Sequence, residues 1–184
     1  VTQPDKRKGR GRGLVSTPVV KEYAIKQNIP FVQPMKTSED KFLDVLKEVK
    51  ADIYVIVSYG KIISAKALQH VKLAPLNVHT SLLPDLRGAS PIYEAIRKGY
   101  KKTGVTLMCI NERMDEGDLL LQKSFEINSD DMYVDVEGKM VKHGVELLKE
   151  FAKKPQTIIE QKKLQAHQEA TYCDLCLIFT FIHN

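Results

Sequence analysis

The run Asp52–Ser58, DIYVIVS, constrains the fold more than any other stretch of the chain. It is rich in β-branched residues and nearly all apolar. A strand with one wet face alternates apolar and polar side chains, so a run without that alternation reads as a parallel strand covered on both faces. The flanking segments supply helices to cover it. Thr17-Pro18 offers a cap followed by proline at the first helical position, and predicts a helix to about Gln27. Thr37 and Asp40 form a loose capping-box pattern, and Phe42, Val45, Leu46 and Val49 recur at helical spacing, so residues 38–50 read as an amphipathic helix. Ser64 opens a short helix to His70, and Ser90-Pro91 starts another that Gly99 ends. A long helix is predicted from about Met132 to Lys153, with Val136, Met140, Val141, Val145, Leu148 and Phe151 inward.

Further strands are predicted at Ile29–Val32, at Pro75–His79, through Val105, Leu107 and Cys109, and through Leu119, Leu121, Phe125 and Ile127. Strands alternating with helices predict an α/β domain with a Rossmann-like, open, mostly parallel sheet flanked by helices. In such sheets ligands sit beyond the carboxyl ends of strands. The 184 residues suffice for one domain with a core, and no apolar run is long enough to span a bilayer. The chain starts at Val1 without a charged-then-apolar leader, so a fragment or extracted domain is expected. Cys109, Cys173 and Cys176 make no disulfide framework, which favours a reducing compartment.

The formal charge of +5 is unevenly spread. Lys6, Arg7, Lys8, Arg10 and Arg12 are interleaved with Gly9, Gly11 and Gly13. Glycines allow close backbone approach and the cations give a positive local field. This segment is either a solvated loop or a contact for a phosphate backbone, RNA above all.

Candidate chemistry lies at Asn77, His79 and Asp115. Asn77 and His79 are two apart on an extended segment, so both side chains point to one side. Asn77 offers a neutral N–H to a developing oxyanion. His79 can donate to the same oxygen and shuttle a proton. Asp115, in the MDEGD turn, can orient the imidazole or accept a proton from an attacking amine. No metal is needed for such chemistry. An isolated Asn-x-His is commonly structural, and Asp115 beside Gly117 is also an ordinary turn residue. Spacing alone supports no more than a hydrolase or transferase site. Cys173-x-x-Cys176, without a second ligand pair, is a weak metal or redox signal.

The stretch NVHTSLLPDLRGASPI, Asn77–Ile92, resembles the signature of the folate-dependent formyltransferases. VTQPDKRKGRGRGL at the start, SYGKII at Ser58–Ile63 and GVTLMCINERMDEGDLL at Gly104–Leu120 extend the similarity to about Tyr172. The QPD-x-x-x-GRG loop is similar to that of members that formylate methionyl initiator tRNA. The resemblance implies the formyltransferase fold, with Asn77, His79 and Asp115 catalytic. It implies that Ser81, Leu82, Leu83 and Pro84 line the site for 10-formyltetrahydrofolate, with Tyr59, Gly60 and the backbone around Asn111 at the pterin. It places Arg10, with Lys6, Arg7, Lys8 and Arg12, against the tRNA. Transfer of a formyl group from the folate to the methionyl α-amine is expected, with a small-molecule acceptor (glycinamide ribonucleotide or an amino sugar) or an inactive folate- or RNA-binding remnant as alternatives. A monomer is expected, away from membranes, in the cytoplasm or a mitochondrial matrix.

Against that resemblance, a first βα unit is expected to be missing before Val1. The expected layout is a catalytic domain over residues 1–165, incomplete at its start. Residues 166–184 would be the start of a linker plus an atypical apolar tail, CDLCLIFTFIHN, in place of a C-terminal barrel domain.

Overall fold

The computed structural model describes residues 1–8 and 14–174. Backbone contacts divide the chain into two units, one of Val1–Asp52 with Ser58–Lys72, the other of Ile53–Val57 with the described part of Leu73–Asn184. No helix among the described residues is long and apolar enough to cross a membrane.

The first unit opens with an antiparallel ribbon, β1 (Lys6–Lys8) paired with β2 (Leu14–Ser16). Helix α1 (Val19–Lys26) follows with Pro18 as its cap residue, and α2 (Asp40–Val49) buries Phe42, Leu43 and Leu46. The Thr37–Asp40 capping box does not form. Thr37 Oγ1 instead donates to the Ile62 carbonyl at 3.1 Å and accepts from the Ser64 amide at 2.8 Å. Ser64 in turn caps helix α3 (Ala65–Leu68), accepting from the Ala67 amide at 3.2 Å. Ile29–Val32 is not a strand. Asn28 turns the chain with φ +55°, the Ile29 amide closes back onto the Ala24 carbonyl at 2.8 Å, and Pro30 has no N–H to give a ladder; the Val32 carbonyl accepts from the Thr2 amide at 3.0 Å.

The second unit is built on a four-stranded sheet with the order β3 (Ile53–Ile56), β4 (Ala74–His79), β6 (Lys102–Cys109), β7 (Leu119–Glu126). The expected mostly parallel sheet is mixed: β3 and β4 are parallel, whereas β4–β6 and β6–β7 are antiparallel. The β6–β7 connection, residues 110–118, is too short for a crossover helix, so the two strands form a hairpin. Coverage on both faces belongs to β6, where every residue from Thr103 to Met108 is buried. In β3, Val55 is 46% exposed.

Helix α4 (Pro91–Arg97), with proline in its first turn, and α5 (Tyr133–Lys153) pack together, and α5 lies on β6 and β7. The buried stripe of α5 is Val136, Met140, Gly144, Leu147 and Phe151. Val141 and Val145, expected inward, are 63% and 45% exposed. Each follows a buried residue by one position and so turns about 100° away from the stripe. Leu76, Leu86, Val105, Leu107 and Leu147 are fully enclosed, each such side chain contributing roughly 1.5–3 kcal/mol. Short α6 (Pro155–Glu160) follows, and then a two-residue strand β8 (Tyr172–Cys173) pairs in parallel with β5 (Arg87–Gly88).

Candidate active site

Strand β4 sorts its side chains by pleat. Val78 faces α5, since a Cβ added at Gly144 would lie 3.4 Å from Val78 Cγ1. Asn77 and His79 therefore share the opposite face. Their partners across the antiparallel ladder, Met108 and Thr106, share it with them. The Asn77 amide has no hydrogen-bond partner among the described residues and is only half-buried, so its N–H groups are available for donation.

His79 is 6% exposed. Its Nε2 lies 2.9 Å from the Leu86 carbonyl oxygen. A carbonyl only accepts, so Nε2 carries a proton and Nδ1 is the nitrogen free to exchange one. Nδ1 faces Asp115 Oδ2 at 3.7 Å, and the same Oδ2 accepts the Gly88 amide at 2.9 Å. The structure thus brings His79 and Asp115 together and leaves the Asn77 side chain on the same sheet face. Asp115 itself has φ +53°, a left-handed conformation in the β6–β7 turn.

The other acids of that turn are held separately. Glu116 approaches Arg87 at 3.4 Å and Arg113 at 3.6 Å, and Asp118 pairs with Lys162 at 2.7 Å. Gly117 is required sterically, because a Cβ there would overlap the Cys109 carbonyl oxygen.

The segment Ser81–Pro84 follows β4 and is pinned beneath by Thr106. Thr106 Oγ1 donates to the Ser81 carbonyl at 2.7 Å and accepts from the Leu83 amide at 3.1 Å. Gln122 Nε2 adds bonds to Thr106 Oγ1 and to the Leu83 carbonyl, each 2.9 Å. Ser81 and Leu83 are buried, and the Ser81 hydroxyl donates to the Asp85 carbonyl. Leu82 and Pro84 keep exposed surface. Asn111 is exposed and its Oδ1 accepts the Arg113 amide at 2.9 Å.

Tyr59 and Gly60 belong to the first unit. The Tyr59 carbonyl accepts from the Gln3 side chain, and its hydroxyl is buried without a partner among the described residues. Burial pushes the Tyr59 hydroxyl above its ordinary pKa. Lys6 is exposed on β1, which also carries the backbone of Arg7 and Lys8. Arg10, Arg12 and Cys176 lie outside the described residues. Cys173 is a buried free thiol, raised in pKa by burial. Among the described residues no group of three or more His, Cys, Asp or Glu could hold a metal ion.

Sequence reasoning missed four residues that hold this arrangement: Arg87, Thr106, Gln122 and Gln165. Thr106 was detectable as the polar residue between the inward-facing Val105 and Leu107. Gln165 carries no local signal, because its partners are 48 to 78 positions away.

The formyl transferase family profile matches residues 1–152. Methionyl-tRNA formyltransferases from Clostridioides difficile strain 630 and Kosmotoga olearia are 40% and 42% identical over 175 and 171 residues, covering 95% and 93% of this chain and 56% and 55% of theirs. The chain spans about half the length of the curated relatives it matches. In fold it is similar to the N-formyltransferase of Helicobacter canadensis, solved with folinic acid and dTDP-3-aminofucose (TM-score 0.68, 22% identity, 90% of this chain and 56% of that one). It is also similar to phosphoribosylglycinamide formyltransferase of Streptococcus pneumoniae TIGR4 (TM-score 0.66, 22% identity, 73% and 78%). With a His–Asp pair and an open amide behind the SLLP segment, and a profile match over most of its length, the chain belongs to the formyl transferase family.

Proposed function

We propose that this chain is the catalytic part, over residues 1–165, of an enzyme that moves a formyl group from 10-formyltetrahydrofolate to the α-amine of methionyl initiator tRNA. The observation that carries this reading is the His79–Asp115 pair at 3.7 Å on the sheet face that also bears Asn77. The names of the relatives at 40% identity and above support the tRNA acceptor.

In this reading the methionyl nitrogen attacks the formyl carbon and the carbonyl oxygen becomes an oxyanion. Asn77 donates an N–H to that oxygen. The neutral amine attacks, and the ammonium that the addition forms gives up a proton to the Asp115–His79 pair. The C–N10 bond then breaks, and His79 returns the proton to N10 as the amide forms. Nε2 stays bonded to the Leu86 carbonyl throughout, so the imidazole keeps its orientation while Nδ1 exchanges the proton. Leu82 and Pro84 supply apolar cover for the planar folate. Arg10, Lys6, Arg7, Lys8 and Arg12 neutralise tRNA phosphates. The protein works as a monomer in the cytoplasm or a mitochondrial matrix.

The test uses the full-length protein with 10-formyltetrahydrofolate and methionyl initiator tRNA. His79→Ala lowers kcat by about 10²–10⁴-fold with folate binding retained. Arg10→Ala weakens tRNA retention on a filter, and formylation of glycinamide ribonucleotide or an amino sugar is not seen. Turnover surviving His79→Ala, or unchanged tRNA retention in Arg10→Ala, counts against the reading.

A further inference from the structure

Asp115 stands in a left-handed backbone conformation, φ +53°, which residues with a side chain adopt infrequently. A left-handed φ of this kind costs on the order of 1–3 kcal/mol and persists where the surroundings over-determine it. Two consecutive residues of β5 provide that constraint. Gly88 holds the carboxylate through its amide. Arg87 acts on the backbone of the turn through an intermediary, Gln165.

Gln165 is 5% exposed. Its Nε2 donates to the Asp115 carbonyl at 2.9 Å and to the Gly117 carbonyl at 2.7 Å. Its Oε1 accepts from Arg87 Nε at 3.1 Å and Nη2 at 2.7 Å. Both ends of the amide are therefore occupied, and its orientation is fixed by chemistry: the guanidinium demands an acceptor and the two carbonyls demand a donor. Arg87 is 1% exposed and is itself anchored. Its Nη1 donates to the Tyr172 hydroxyl at 3.0 Å and its Nη2 to His167 Nδ1 at 2.9 Å, with the Tyr172 ring 5.7 Å away.

We propose that Gln165, braced by Arg87, is a positioning residue that sets where the Asp115 carboxylate stands against His79. Its kinetic consequence rests on the formyl-transfer reading; its geometric consequence does not. Gln165 lies beyond residues 1–152, the stretch matched by the family profile, whereas Arg87, which braces it, lies within that stretch. A neutral amide is essential. A carboxylate at this position would bond the guanidinium at least as well, yet would set a negative oxygen against the Asp115 and Gly117 carbonyls.

Gln165→Glu in the full-length protein tests this directly, since it keeps volume and the Arg87 bond while removing the donor. Circular dichroism first establishes that the variant is folded. The expected result is a fall in kcat of about tenfold to a hundredfold, the range that roughly an ångström of misplacement produces, with KM for the folate within about twofold. In the same variant the Gly88 amide loses its protection in hydrogen–deuterium exchange read by NMR, because Asp115 Oδ2 has moved off it. Should Gln165→Glu not fold, Gln165→Asn, which keeps the amide but shortens its reach, is read in the same two ways. A folded variant with wild-type kcat, or with Gly88 protection intact, overturns the proposal. If the wild-type protein formylates nothing, the functional reading falls, and Gly88 exchange alone decides the positioning role.

Discussion

Thr106→Val isolates the pin beneath the Ser81–Pro84 segment. The substitution keeps β-branching and nearly the same volume on a strand position that is 0% exposed. It removes one hydroxyl with three bonds. The Gln122 side chain still reaches the Leu83 carbonyl at 2.9 Å, so it keeps a partner. The Ser81 carbonyl and the Leu83 amide do not keep theirs. Each orphaned buried group costs about 1–3 kcal/mol. Leu82 and Pro84 are partly exposed, so the segment can shift toward water and recover part of that, leaving a net loss of about 3 kcal/mol. For a chain of this size the loss lowers Tm by roughly 6–12 °C. Thr106→Ser is the control. It keeps the hydroxyl and gives up one methyl, about 1 kcal/mol. Thermal unfolding followed by circular dichroism compares the two. If Thr106→Val proves no less stable than Thr106→Ser, the hydroxyl does not hold the segment and the reasoning fails.

Gly88 has φ +115°, and a Cβ there would overlap the Cys173 carbonyl oxygen, so Gly88→Ala is expected to lower stability by about 2–4 kcal/mol; a Tm within 2 °C of wild type (roughly 0.5 kcal/mol) would contradict this. Glu94 bonds Arg97, at 2.8 and 2.7 Å, and Lys98, and the Arg97 guanidinium chiefly holds its carboxyl down at about 2 against an ordinary 4.5. A depressed carboxyl stabilises above its unfolded value and loses that contribution as it protonates in the folded state. The stability gap between wild type and Glu94→Gln is therefore flat above pH 4.5 and closes as pH falls from 4.5 through about 2, by urea denaturation across that range. A gap that widens on acidification refutes the pairing.

Local pattern made much of this protein legible. Strand β4, the amphipathic α2 and the proline-led α4 all follow from spacing and caps within a few residues. So does the placement of Asn77 and His79 on one sheet face. What failed depended on distant partners. Thr37 looked like a cap, but it is used by Ser64 and Ile62, 25 or more positions on. Val141 and Val145 fit the helical period as well as Leu147 does, and only the position of the sheet, chiefly β6 and β7, decides which stripe is covered. DIYVIVS has the composition of an enclosed strand, yet the enclosed strand is β6, whose threonines and glycine disguise it. The candidate site divides the same way: Asn77, His79 and Asp115 stand in two short motifs, while Arg87 and Gln165, whose bonds hold the backbone of the Asp115 turn, meet across 78 positions.

The pairing of β5 with β8 also has a consequence in time. Leu86, Arg87 and Ala89 are met by Thr171 and Cys173, so this clasp waits for a piece of chain made more than 80 residues later. Closing so long a loop is among the slower steps a chain of this kind takes. A nascent polypeptide that has emerged only as far as Asp118 holds β5 without its β8 partner and Arg87 without Gln165. The bracing of the Asp115 turn is then completed late in synthesis, once Gln165–Cys173 has emerged.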